Sequence, residues 1–178
     1  MNHAANNGES MTFRYFERWN FLQDRPIDPL TEADARGRYD SGPWFSVALS
    51  SDPRFGERGV LPEALLEVEP KADAVKAYFL TPAGSVALVY WFRREGDQLF
   101  LAQTLQYHYA DDAKHRRNES VLTSTFSFSP DGSVTIRDDD KSQQTVESSE
   151  RSGVDVSSNW DVVPEFGAWR RLSRRERA

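Results

Sequence analysis

Five short stretches in the middle of the chain are rich in apolar residues, which alternate with polar residues in most of them. Alternation with a period of two predicts β-strands whose two faces differ in burial. The stretches are residues 75–81, 86–94, 98–109, 121–129 and 133–137. Three of the connections between them are short and contain Gly84, Gly96 or Gly132, which suits tight turns. Strands that follow one another through short turns predict an antiparallel meander of about five strands over residues 75–137.

The second of these stretches is apolar at every position from residue 86 to residue 92. A strand without a polar face is typical of the centre of a sheet that is covered on both sides. We therefore expect Trp91 to be buried, together with at least one of Leu99 and Leu101, which share one face of the next strand. The N-terminal aromatic segment and the short helices are the candidates to cover the second face.

The residues before the meander predict a mixture of extended and helical segments. Residues 12–23 alternate aromatic and charged side chains, which fits a strand, although the spacing fits a helical turn equally. Residues 24–30 hold two prolines and are expected to form a loop. Thr31 is suited to the N-cap of a short helix that ends at Gly37.

Three further segments complete the pattern. Residues 44–49 predict a strand, and residues 62–68 predict one or two turns of helix with a proline in the first turn. Residues 138–158 are rich in Ser, Gln and Asp, which predicts a long loop. A short strand around residues 145–146 or 154–156 is the alternative for that segment.

These patterns together predict an α+β fold that is mostly β. Its centre is the meander, and the short helices and the N-terminal aromatic segment pack on it. A length of 178 residues suits one domain. We expect residues 11–170 to form it, after a disordered start at residues 1–10 and before a basic tail at residues 171–178. The arginines of this tail could fold back onto the acidic residues 138–161.

The composition excludes several kinds of chemistry. The chain has no cysteine, so disulfides, cysteine nucleophiles, zinc–thiolate sites and iron–sulfur clusters are excluded. A formal net charge of −6 argues against a nucleic-acid partner. No apolar run approaches the roughly 18–20 residues that span a bilayer, and the first ten residues lack the basic and apolar regions of a signal peptide. We therefore expect no membrane association and a cytoplasmic location.

Common catalytic and nucleotide-binding motifs are missing from the sequence. It contains no GxxxxGK[ST], GxGxxG, GxSxG or HExxH pattern. His108 ends a strand and His115 stands among acids in a charged loop, but their spacing lacks the paired ligands of a zinc site. The three aspartates at 138–140 lack the alternating pattern of a calcium loop. We therefore expect no catalytic residue, no metal and no cofactor.

Two groups of residues are candidates for binding a protein partner. An acidic run stands at the end of a predicted strand, and aromatic residues gather around a proline and a glycine near the C-terminus. The acids would steer a basic partner, and the aromatic side chains would supply apolar contact area. The candidates are Asp138, Asp139, Asp140, Trp160, Phe166 and Trp169. The structural alternative for the aromatic residues is a clasp that lies over the sheet.

Three hypotheses for function follow, in this order. The first is a non-enzymatic binding protein, such as the acidic bacterial immunity proteins that cap the active site of a basic toxin. The second is a small-molecule binder with an apolar cavity in a bent β-sheet, with Tyr107, His108 and Tyr109 as pocket residues. The third is an enzyme whose site combines Tyr107, His108 and distant carboxylates. A large pocket lined with aromatic side chains would favour the second, and a flat acidic face with exposed tryptophan would favour the first.

Overall fold

Antiparallel strands make up most of the computed structural model, which describes residues 11–57 and 59–177. Within these residues there are eleven strands and one α-helix. The strands are β1 (Thr12–Asn20), β2 (Arg25–Leu30), β3 (Phe45–Ser50), β4 (Ala64–Val68), β5 (Ala74–Leu80), β6 (Val86–Glu95), β7 (Gln98–His108), β8 (Leu122–Phe128), β9 (Val134–Asp140), β10 (Thr145–Arg151) and β11 (Trp160–Val162). The helix is α1 (Glu32–Ser41), and short 3-10 turns cover Pro70–Ala72, Arg117–Glu119, Ser157–Asn159 and Trp169–Arg171.

Ten of the strands lie side by side in one open sheet with the order β10-β9-β8-β7-β6-β5-β4-β3-β1-β2. From β3 to β10 each strand lies beside the next one along the chain, whereas β1 is inserted between β3 and β2. The short strand β11 pairs with residues 98–100 of β7, and β8 pairs with residues 103–108 of the same strand. Leu101 and Ala102 lie between these two paired segments, and a register shift opposite Trp91 and Phe92 leaves Ala102 without a partner on β6.

The prediction of a mostly β fold with an antiparallel meander is confirmed, but the expected number of about five strands is wrong. The five expected strands are β5 to β9, and they are neighbours in the sheet. The structure extends this sheet on both sides. The strand expected at residues 44–49 is confirmed as β3, and the strand reading of residues 12–23 is confirmed by β1, whereas β2 and β4 were not expected as strands. The first part of the N-terminal aromatic segment, residues 12–16, pairs with β3 as a strand of the sheet, whereas Phe21 near its end packs over one face of the sheet.

The strand β2 occupies the segment that the prolines assigned to a loop. Pro26 and Pro29 stand opposite Trp19 and Phe16 of β1. Proline is tolerated here because β2 is an edge strand, which needs hydrogen-bond donors on one side only. The loop prediction for residues 24–30 is therefore wrong.

The strands β4 and β10 also contradict their predictions, β4 because it is buried on both faces and β10 because it is exposed on both faces. Residues 62–68 were expected to be helical, but β4 lies between β3 and β5 and buries Leu65 and Leu66 on its two faces. A short apolar run without alternation fits a fully buried strand and a helix equally. Residues 138–158 were expected to form a loop, but they contain the end of β9 and all of β10. All seven residues of β10 are exposed, so neither of its faces requires apolar side chains.

The helix α1 begins where the sequence predicts. The Thr31 hydroxyl accepts a hydrogen bond from the Asp34 amide, and the Asp34 carboxylate accepts one from the Thr31 amide, which together form a capping box. The helix continues past Gly37, the predicted end, and stops at Ser41. Gly37 has open space around it on the exposed side of the helix, so its effect is limited to a modest loss of helix propensity.

One face of the sheet, the first face, is covered by α1 and by the C-terminal segment that follows β11. The core on this face combines buried side chains of β3 to β7 with Ala35 of the helix and with Trp169 and Leu172 of the C-terminal segment. Leu99 and Leu101 are buried in this core, as predicted.

The opposite face, the second face, is covered in part by the hairpin of β1 and β2, whose tip bends over it. Phe21, in the turn of this hairpin, lies 5.0 Å from Tyr78 of β5 between ring centroids. The smaller core under the hairpin includes Phe16, Leu65 and Tyr78. Trp91 faces the same side but is 37% exposed, so the prediction that it is buried is wrong.

The basic tail is part of the described structure and is attached to the sheet. Arg171 and Arg177 of the basic tail form ion pairs with Asp161, the last residue of the acidic stretch. The Tyr90 hydroxyl donates a hydrogen bond of 2.6 Å to the Arg175 carbonyl, so the tail lies along the first face. The predicted disordered start, residues 1–10, lies outside the described residues. No helix in the described part of the chain has the length and apolarity to cross a membrane.

Candidate functional site

A cavity of about 750 Å³ lies between the second face of the sheet and three segments that overhang it. These segments are the turn between β1 and β2, the loop that follows β3, and the turn between β5 and β6. Side chains from all of these parts line it, including Arg14, Phe16, Trp19, Asp24, Ala48 and Phe55. The cavity exists because the hairpin bends over the sheet instead of continuing in its plane.

The floor and one wall of the cavity are apolar. Phe16 of β1 and Ala48 of β3 are buried on the second face, and Phe55 of the following loop is buried beside them. Alternation along β1 explains this placement, because the neighbouring Tyr15 packs on the first face. The Trp19 ring stands 5.7 Å from the Phe16 ring and extends the aromatic wall.

Two polar atoms in the lining are buried without a partner among the described residues. These atoms are the indole nitrogen Nε1 of Trp19, a donor, and the carboxylate oxygen Oδ1 of Asp24, an acceptor. An unsatisfied buried polar group costs about 1–3 kcal/mol, and native proteins contain few of them. The occurrence of such a donor and such an acceptor on two residues that line the same cavity is therefore unusual, although both atoms are themselves covered.

Asp24 is held in place by contacts distant in the sequence. Its backbone is in the left-handed region, with φ of 47°. Its other carboxylate oxygen, Oδ2, forms an ion pair with Lys114 from the loop between β7 and β8. A Cβ atom at Gly84 would lie 2.7 Å from this oxygen, so only glycine permits the close approach. These contacts fix the carboxylate, and Oδ1 has no partner in the part of the chain that the structure describes.

Arg14 places a positive charge at the rim of the cavity. Its guanidinium carbon lies 5.2 Å from the centroid of the Phe55 ring. A Cβ atom at Gly56 would overlap the guanidinium, and Gly56 also has a φ of 109° that favours glycine. Neither Arg14 nor Arg25, the second arginine in the lining, forms an ion pair with a described residue.

The residues predicted to bind a protein partner do not form one surface. Asp138, Asp139 and Asp140 lie on β9, opposite residues of β8 that pair with the end of β7. Trp160 lies on β11 beside the start of β7, at the opposite end of that long strand. The acids and the aromatic residues are therefore separated along β7.

The aromatic candidates also differ from one another in burial. Trp169 is fully buried on the first face, in the position of the clasp that was the structural alternative. Phe166 is partly buried and lies 5.7 Å from Trp169 between ring centroids. Trp160 is partly buried against Phe100, with 4.8 Å between ring centroids.

The three predicted pocket residues at the end of β7, Tyr107, His108 and Tyr109, lie in three different environments and do not form one pocket. Tyr107 packs at the margin of the core on the second face, whereas His108 is exposed and follows it on the strand. Tyr109 stacks on His115 at 5.2 Å, and its hydroxyl donates to the Val86 carbonyl. Burial raises the pKa of Tyr109 to about 12. None of these three residues lines the 750 Å³ cavity.

The charged loop between β7 and β8 brings His115 close to two carboxylates, which are the kinds of side chain that can bind a metal ion. His115 Nε2 lies 2.7 Å from Asp111 Oδ1, and this hydrogen bond lowers the pKa of Asp111. Glu119 lies on the other side of the imidazole, 4.0 Å from Nδ1. No group of three or more carboxylate and imidazole side chains within the described ranges is arranged to hold a metal ion.

Sequence reasoning did not identify the residues that line the cavity. Arg14, Phe16 and Trp19 belong to the aromatic segment, whose alternation was recognised but whose pairing was not. Asp24 was assigned to a loop with no further role. One signal was present in the sequence. Arg14 and Phe16 are two residues apart on a strand, so they face the same side and place a positive charge beside an aromatic ring. No protein-family model, curated protein or solved structure matches this chain.

Proposed function

We propose that this protein is a non-enzymatic binder of small organic molecules, which it holds in the cavity under the β1–β2 hairpin. The observation that supports this most directly is that two residues of its lining, Trp19 and Asp24, each carry a polar atom, Nε1 and Oδ1, with no partner among the described residues. Both atoms are covered by protein, so a ligand reaches them only when these two side chains turn towards the cavity. A ligand that then accepts a hydrogen bond from the indole and donates one to the carboxylate would satisfy both. The volume of about 750 Å³ falls within the range of small-molecule sites.

The lining also indicates the class of ligand. Phe16 and Phe55 offer apolar surface for a ring system. Arg14 at the rim favours an acidic group, because no described acid neutralises its charge. Lys114 already compensates Asp24, so this carboxylate repels an anion less than a free one would. We therefore propose a small aromatic acid that also carries an N–H or O–H donor.

Anilinonaphthalene sulfonate is a suitable probe, since it combines fused rings, an acidic sulfonate and one N–H group. We expect the folded protein to bind one equivalent, with an increase in dye emission and with energy transfer from tryptophan. In the Trp19→Phe variant the ring remains and the donor is lost. Losing one such hydrogen bond should weaken binding about tenfold. Trp44→Phe, at an exposed tryptophan that does not line the cavity, is the matched control.

Because this dye also binds loosely packed states, each variant must first show a native thermal transition. Arg14→Gln provides a second variant that removes the charge at the rim, and it should reduce affinity as well. The proposal is rejected if the dye fails to bind native protein, or if it binds Trp19→Phe and Arg14→Gln as tightly as the unchanged chain.

A protein partner is the second candidate function, and β10 supports it. This edge strand is exposed along its whole length, and Val146 is 58% exposed beside Asp139 of β9. A free strand edge can pair with a strand of another chain, and the acids of β9 favour a basic one.

The acids of β9 provide the test of this second candidate. The triple change of Asp138, Asp139 and Asp140 to Asn should abolish capture of a basic protein from a cell lysate. Asp155→Asn, at another exposed acid, should leave the capture unchanged. Equal capture by both variants would contradict a role for this edge.

A further inference from the structure

Two exposed tryptophans stand at the ends of a separate groove on the second face. Trp44 is 43% exposed and Trp91 is 37% exposed, which is uncommon for so large an apolar side chain. Both line a groove of about 270 Å³, together with Glu67, Glu69 and Lys76. None of these five residues lines the cavity under the hairpin.

The register of the sheet explains the arrangement of the groove. Lys76 of β5 stands between Glu67 of β4 and Trp91 of β6 as cross-strand neighbours. Trp44 precedes β3, on the other side of β4. The two tryptophan backbones are therefore three strand spacings apart, about 14 Å, with polar side chains between them.

The groove continues beyond Trp91. A second depression of about 290 Å³ shares Lys76 and Trp91 with the first one and extends to Gln103 and Tyr107 of β7. Trp91 thus stands between two adjoining depressions that run across the strands. An extended ligand could contact both of them and the tryptophan between them.

We infer that this groove binds a neutral oligosaccharide of pyranose sugars. One face of a pyranose ring presents C–H groups, which the electron-rich face of an indole attracts, and its rim presents hydroxyls. The hydroxyls can donate to Glu67 and Glu69 and accept from Lys76. The Tyr78 hydroxyl donates a 2.6 Å hydrogen bond to Glu67 Oε2, which orients this carboxylate in advance and leaves its other oxygen for a ligand.

The mixed charge of the groove distinguishes a sugar from other occupants. A cationic ligand would meet Lys76, and an anionic ligand would meet Glu67 and Glu69. An apolar protein anchor between the tryptophans would cover these charged side chains without offering them hydrogen bonds, which is costly. A neutral ligand with many hydroxyls satisfies both signs of charge and also covers the indoles.

Titration with cellohexaose, maltohexaose and chitohexaose, followed by calorimetry and by tryptophan emission, tests this inference. We expect at least one of the three to bind at millimolar concentration or below. Trp91→Ala and Trp44→Ala should each weaken that binding by about tenfold or more, as expected when an aromatic stacking platform is lost. Both side chains are exposed, so the variants should fold; a thermal transition checks this.

Trp19→Phe is the matched control, because it alters the other cavity and should leave sugar binding unchanged. Conversely, Trp91→Ala should leave dye binding unchanged, so the two proposals succeed or fail separately. The inference is overturned if none of the three hexasaccharides binds, or if the one that binds does so equally well after Trp91→Ala and Trp44→Ala.

Discussion

Asp161 and Arg177 form an ion pair in which the Asp161 side chain is 1% exposed and the Arg177 side chain is 10% exposed, with 3.0 Å between Oδ2 and Nη2. Arg171 reaches the other oxygen of the same carboxylate at 2.8 Å, and the Val162 amide donates to it as well. The Arg177 guanidinium also lies 4.9 Å from the centroid of the Phe92 ring. This cluster attaches the basic tail to the first face, next to the core.

Asp161→Asn should therefore destabilise the protein strongly. Removing one partner of a buried ion pair leaves the other charge uncompensated, which costs about 3–5 kcal/mol. We expect a loss of this order in the free energy of unfolding from urea denaturation. Glu165→Gln, an exposed acid in the same segment, is the control and should change stability little. Equal unfolding midpoints for the two variants would show that the tail is not held by this pair.

Trp169 and Trp160 should differ in their effect on stability. Trp169 is fully buried, and its ring packs edge-on against Tyr39 at 5.8 Å and Phe45 at 6.2 Å. Trp169→Ala should cost about 3–5 kcal/mol, as for other core aromatic residues. Trp160→Ala should cost less, because this side chain is only partly buried. Guanidinium unfolding of both variants measures the difference, and a small effect at Trp169 would contradict its role as a clasp.

The part of the fold that could be predicted from sequence is the part where local signals agree. In β5 to β9, alternation and turn glycines such as Gly84 and Gly132 indicate the same boundaries, and both have the positive φ that favours glycine. The main expectation assigned β2 and β10 to loops because each lacks a usual local signal of a strand, although a short strand at residues 145–146 was the alternative for β10. β2 contains prolines, which its edge position permits, and β10 has no apolar face, because it is exposed on both sides.

The cavity could not be predicted, because its shape depends on contacts between distant residues. The hairpin tip is bent over the sheet by the ion pair of Asp24 with Lys114 and by the packing of Phe21 on Tyr78. Ninety positions separate Asp24 from Lys114, and no local pattern indicates that they meet. The sequence likewise showed that aromatic residues gather near the C-terminus, but it did not show which of them are buried. Their burial depends on which face of the sheet the C-terminal segment covers.

Gly56→Ala should disturb the rim of the cavity while leaving the fold intact. The new methyl group would overlap the Arg14 guanidinium and displace it. We expect dye binding to weaken several-fold, because the positive charge leaves the rim. Gly96→Ala is the control, since Gly96 also has a positive φ, of 65°, but has open space around it and does not line the cavity. Both variants share the backbone strain of about 1–3 kcal/mol. Only a specific loss of dye binding at Gly56, measured by fluorescence titration, agrees with the proposed role of Arg14.

The stability of the protein should fall as the solution becomes alkaline, and Tyr109 should contribute to this fall. Burial raises the pKa of Tyr109 from 10.0 to about 12, and burial also raises the pKa of Tyr78. In the folded state these hydroxyls keep their protons at a pH where the unfolded chain loses them. The stabilisation is therefore complete below pH 10 and is lost as the pH rises to about 12.

Tyr109→Phe separates this effect from other alkaline changes. The variant lacks the 2.7 Å hydrogen bond from the Tyr109 hydroxyl to the Val86 carbonyl, so it should be less stable by about 1 kcal/mol at neutral pH. Between pH 10 and 12 its free energy of unfolding should decline less steeply than that of the unchanged chain, because one buried phenol no longer titrates. Urea unfolding measured across this interval gives both slopes. Parallel slopes would mean that the Tyr109 phenol ionises in the folded state as readily as in the unfolded chain.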